Sequence, residues 1–77
     1  MTAIEFALRG EYITLDALLK ANGLASSGGG AKSLIADGGV RVNGDVETRR
    51  GRKLRPGDEV VVGASRVSVR AGSQQRE

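Results

Sequence analysis

The apolar residues of this chain follow two rhythms, one of strands and one of helices. Ile4, Phe6 and Leu8 alternate with Ala3, Glu5 and Ala7, the period of a half-buried strand, and predict a short edge strand. From Ile13 onward the spacing changes. Leu15, Leu18 and Leu19 share one helical face, Thr14 is a suitable N-cap, Asp16 and Lys20 each suit the dipole end they occupy, and Gly23 stops the segment. This predicts a first helix from Leu15 to about Asn22. A second helical pattern, Ala31 with Leu34 and Ile35, lies between a Ser27 N-cap and Gly38, and predicts a helix from about Gly28 to Asp37. The Leu24-Ala25-Ser26 connection is short enough to pack the two helices directly. Leu15, Leu18 and Leu19 are then expected against Leu24, Ala31, Leu34 and Ile35, as a helix-turn-helix in the loose sense.

Alternation returns at Val40-Arg41-Val42, with Arg41 pointing away from the core. Asn43-Gly44 before Asp45-Val46 is a strong signal for a tight hairpin turn. Residues 47–55 carry almost nothing apolar and read as an exposed irregular loop. Arg55-Pro56-Gly57-Asp58 suits a type II turn into a strand at Glu59-Val60-Val61-Val62, and Gly63-Ala64 connects it to a last alternating strand, Ser65 to Val69. The fold class expected is therefore α+β: two packed short helices against a small antiparallel β-sheet, one domain over residues 1–70. The polar residues 71–77 are expected to be a disordered tail.

With 77 residues and neither cysteine nor histidine, the chain has no disulfide staple and no thiol or imidazole chemistry, and a zinc site is not expected. Its carboxylates and hydroxyls are scattered over predicted surface, so neither catalysis nor a cofactor is expected. Gly28-Gly29-Gly30-Ala31-Lys32-Ser33 lacks the glycine spacing and the preceding buried strand of a nucleotide-binding phosphate loop. No apolar run approaches the ~20 residues of a membrane span, and Met-Thr-Ala-Ile-Glu lacks the layout of a signal peptide, so a cytoplasmic location is expected.

Charge changes the picture through its distribution. The net charge is only +3, but Arg49, Arg50, Arg52, Lys53 and Arg55 put five cations within seven positions, and four of them are arginine, whose planar fork suits phosphate. A second candidate is the start of the second helix. Each of its three glycines costs about 0.8 to 1 kcal/mol against alanine in a helix, and bare first-turn N–H groups beside Lys32 would make a phosphate seat. The other reading is a loose glycine loop with the helix beginning at Ala31. The only aromatics, Phe6 and Tyr12, both lie near the first strand, which leaves no platform for stacking unpaired bases and disfavours single-strand readers. Exposed positions of the second helix are glycines, Lys32, Ser33 and Asp37, a poor set for reading base edges in DNA. Phosphate and shape recognition of structured, A-form RNA fits best. The alternatives are a protein-protein adaptor docking its basic loop on an acidic partner, and a DNA-backbone binder.

The run Leu15-Asp16-Ala17-Leu18-Leu19-Lys20, with Gly23-Leu24-Ala25, Ser27, Ala31-Lys32, Leu34-Ile35, Gly38, Val40-Arg41-Val42-Asn43-Gly44 and Pro56-Gly57-Asp58, resembles the RNA-binding domain first described in bacterial ribosomal protein S-four. Ser27-Gly28-Gly29-x-Ala31-Lys32 and Glu47-Thr48-Arg49-Arg50 followed by Lys53-Leu54 resemble the small stand-alone bacterial YbcJ-type members of that superfamily. The resemblance implies RNA binding without catalysis, with ribosomal or ribosome-associated RNA as partner. The binding residues it implies, together with the basic cluster, are Ser27, Gly28, Gly29, Lys32, Arg41, Asn43, Arg49, Arg50, Arg52 and Lys53. Gly28 stands where many members carry an arginine, which shifts the expected phosphate contact to Lys32 and the backbone.

Overall fold

Seven strands and two helices form among residues 2–25 and 28–72, the part of the chain that the computed structural model describes. The expected Ser27 cap and residues 73–77 of the expected tail lie outside these residues. The order is β1 (Thr2–Ala7), β2 (Ile13–Thr14), α1 (Leu15–Ala21), α2 (Gly28–Ala36), β3 (Val40–Val42), β4 (Asp45–Val46), β5 (Lys53–Leu54), β6 (Glu59–Val62) and β7 (Ser65–Arg70). The triple glycine is helical from Gly28 on, so the loose-loop reading does not hold.

Both helices end in the same way. In α1 the Gly23 N–H donates to the Lys20 carbonyl and the Leu24 N–H to that of Leu19. In α2 Gly38 donates to Ile35 and Gly39 to Leu34. These paired bonds satisfy carbonyls that the helix leaves without partners, and they need a left-handed residue just past each end, with φ of 71° at Gly23 and 80° at Gly38. The β3–β4 turn is equally local in origin: Asn43 and Gly44 have φ of 53° and 91°, the paired positive values of a type I′ turn.

Strand order in the main sheet is β1-β7-β6-β3-β4. From β7 to β4 it is antiparallel as expected, but β1 joins the edge parallel to β7, so the sheet is mixed. Parallel pairing sets Ile4 beside Val67 and Phe6 beside Val69, extending the apolar inner face by one strand. On that face Val40, Val42, Val60, Val67 and Val69 are buried in one cluster with Leu15, Leu18, Leu19, Ala31, Ile35 and Leu54. Leu24 and Leu34 only flank this core. Leu34, packed against the core from its edge, also lies over Gly39, where an added Cβ would stand 2.9 Å from its Cδ1.

The loop expected over residues 47–55 is neither irregular nor wholly exposed. Lys53–Leu54 pairs antiparallel with Ile13–Thr14, outside the main sheet, and Leu54 is completely buried. Among the described residues no helix is long and apolar enough to cross a membrane.

Candidate nucleic-acid interface

The basic segment is organised around an acid. Glu47 leaves the hairpin with its N–H bonded to the Val40 carbonyl (3.0 Å) and turns its carboxylate inward, where the residue is 7% exposed. Arg49 closes on it with its backbone N–H (3.1 Å), Nε (3.0 Å) and Nη2 (3.2 Å), and Arg52 adds Nη1 at 2.8 Å. Burial alone would raise the carboxyl pKa, but the Arg49 hydrogen bonds, followed by those of Arg52, outweigh it and hold the group down to about 2. An ionised side chain this enclosed needs such partners. The Arg49 side chain nevertheless remains 74% exposed, so its outer edge still faces solvent.

The backbone of the segment is tied to α1. Thr14 occupies the N-cap position with extended φ and ψ, but its side chain makes no capping bond. The Leu15 N–H donates to the Arg52 carbonyl (2.9 Å) and the Asp16 N–H to that of Arg50 (3.1 Å), so loop carbonyls satisfy the first orphan donors of the helix. Asp16 has a lowered pKa, chiefly because the Thr14 hydroxyl donates to it, with the charge of Arg50 as a smaller contribution. A shallow open depression lies among Arg49, Gly51, Arg52 and Lys53.

Further along, the β2–β5 ladder brings Tyr12 to the cations. Lys53 Nζ lies 5.2 Å and Arg55 Cζ 5.9 Å from the centre of its ring, within reach of cation–π attraction. Tyr12 is remote from the basic cluster along the chain but lies beside it in space, a proximity not expected from the sequence. A faint signal existed, since Tyr12-Ile13-Thr14 and Lys53-Leu54-Arg55 are both polar-apolar-polar triplets.

Asn43 is already engaged within the fold. Its amide donates to Asp58 (3.0 Å) and accepts from the Glu59 N–H (2.9 Å), while the other Asp58 oxygen accepts from the Arg55 N–H (2.8 Å). Burial opposes ionisation of Asp58, but the Arg55 N–H and the Asn43 amide, helped by the charges of Arg52 and Arg55, leave its pKa lowered. This network joins the β3–β4 turn to the Pro56-Gly57 turn and so ties down the chain between β5 and β6.

The structure thus groups Arg49 with Arg52 through Glu47, and Lys53 with Arg55 through Tyr12, along one segment that also carries Arg50. Arg41 lies apart: it is exposed between two buried valines, on the outer face of the sheet with Val46 and Val61 beside it, away from the helices. Gly28 and Gly29 form the first turn of α2, with Gly29 and Lys32 exposed, and Ser27 lies outside the described residues. Sequence reasoning missed Glu47 and Tyr12. An acid two and five positions before arginines was the available sign of the first.

Comparison with known proteins adds an independent line. The profile of a family described as the S4 domain matches residues 6–70. YbcJ of Escherichia coli is 42% identical over 58 residues, covering 75% of this chain and 83% of that protein. A Bacillus subtilis protein named "Probable ribosome maturation protein RlbA" is 44% identical over 52 residues, 68% of this chain and 73% of the relative. The solution structure of Escherichia coli YbcJ superposes with a TM-score of 0.63 at 37% identity, over 92% of this chain and 89% of that one, and its description assigns it an αL motif involved in RNA binding.

Proposed function

This chain belongs to the S4 domain family, and from that premise we propose that it binds structured RNA without catalysing a reaction on it. The observation that carries the reading is the basic segment itself. Its five cations are displayed on a backbone anchored to α1 and around Glu47, which is pre-organisation for phosphates rather than a loose solvated charge run. Lys32 and Gly29, both exposed at the start of α2, supply a second phosphate contact, and Arg41 on the outer face an accessory one. The B. subtilis relative's name favours ribosomal RNA as the target and a cytoplasmic setting.

The test should avoid Arg49 and Arg52, because neutralising either leaves Glu47 buried without full compensation. Arg50→Gln and Lys53→Gln together should weaken binding to a ribosomal RNA fragment. They should also flatten the dependence of affinity on salt by about 0.9 for each phosphate no longer neutralised. An unchanged slope would remove the loop from the interface. Equal affinity for duplex DNA of the same length would favour a DNA-backbone binder. Binding to acidic protein but not to RNA would favour an adaptor.

A further inference from the structure

We propose that Tyr12 is a seat for an unpaired base, so that the RNA this chain recognises carries a bulged or looped-out nucleotide beside the segment whose phosphates the arginines hold. The inference rests on the RNA-binding reading above and narrows its substrate class.

Three observations converge on it. The Tyr12 side chain lies outside the buried core, and the residue is 46% exposed; with Val46 it is one of two large hydrophobic residues left exposed among the described residues. Its backbone is nonetheless held in place. Ile13, the next residue, pairs with fully buried Leu54, so the ring is carried on a ladder fastened to the core. That same register sets its neighbours. Lys53 and Arg55 flank Leu54 and project from the opposite side of the short ladder, the side from which Tyr12 projects next to Ile13, and their charged ends lie 5.2 and 5.9 Å from the ring centre.

Lys53 and Arg55 lie over the ring, so a base that stacks on Tyr12 takes a ring face from the end of a long side chain, and the cations it displaces meet its flanking phosphates. Phe6, the remaining aromatic, is half-buried in the sheet and cannot serve. A surface tyrosine that merely covers the stems of two long cations would need no particular ligand, and the experiment separates the two cases.

Tyr12 is the chain's single tyrosine and there is no tryptophan, so intrinsic tyrosine emission reports on this site alone. Two synthetic RNA hairpins closed by the same compact tetraloop are titrated into the protein, one with a continuously paired stem and one with a single bulged nucleotide in it, with affinity followed separately by gel shift. The bulged hairpin should bind more tightly by about 5- to 150-fold, the worth of one base–aromatic stack, and should quench the emission, whereas the paired one should quench little. Tyr12→Phe should keep the preference. Tyr12→Leu should abolish it, bringing affinity for the bulged hairpin down to that for the paired one. If both hairpins bind alike without quenching, the stacking seat is overturned while RNA binding stands. Preference retained by Tyr12→Leu overturns it equally, and binding of neither hairpin overturns both readings.

Discussion

Glu47→Gln is the most informative perturbation of the basic segment, because it preserves shape and removes the charge on which two arginines converge. In the native protein the carboxylate accepts four hydrogen bonds, three from Arg49 and one from Arg52, and titrates at about 2 instead of 4.5. At about 1.36 kcal/mol per pH unit that gap corresponds to about 3 kcal/mol as an upper bound. Arg49 is largely exposed, so solvent screening reduces the expected loss at neutral pH to about 1 to 2 kcal/mol. For a domain of this size that is a fall in thermal midpoint of about 5 to 15 °C. The sign with pH follows from the depressed pKa: the contribution is complete above about 4.5 and disappears as pH falls toward 2. Asp16 and Asp58, also lowered, titrate in both proteins, so the difference between native and variant curves isolates Glu47. Urea unfolding at pH 7, 4.5, 3 and 2 should show that difference shrinking to nothing at the acid end. A difference that stays constant with pH, or a variant as stable as the parent at pH 7, would refute the account of a buried anion holding the segment in shape.

Two further outcomes follow from the helices. Leu18 is fully buried, so Leu18→Ala should cost about 2 to 5 kcal/mol, whereas Leu34→Ala, on the flank of the core over Gly39, should cost clearly less; chemical denaturation of both variants checks the ranking. Gly29→Glu should raise the thermal midpoint by replacing an exposed helical glycine and complementing the dipole, while weakening RNA affinity by placing negative charge at the proposed phosphate contact; undiminished binding by the folded variant would remove the start of α2 from the interface.

Much of this protein was decided within a few residues of each position. The helix stops, the outward Arg41, the Asn43-Gly44 hairpin and the Pro56-Gly57 turn all rest on glycine dihedrals, proline and side-chain alternation, which act over one turn of chain, whereas the first donors of α1 are satisfied by the distant Arg50 and Arg52 carbonyls. Family resemblance was legible for the same reason, since its motifs are those local signals. What the sequence left open depends on pairings between distant segments. Nothing near Thr2–Ala7 announces that its strand will lie parallel to Ser65–Arg70, at the other end of the chain. Charge density made residues 47–55 look exposed throughout. Only the closed fold provides the enclosed position in which Glu47 is bonded by Arg49 and Arg52, and the partner strand, Ile13–Thr14, that draws Leu54 into the core. Tyr12 was misplaced by the same limitation: a hydrophobic pairing formed by its neighbour carries it to Lys53 and Arg55, because burying Ile13 against Leu54 leaves the alternate side chains of both strands together on the outside.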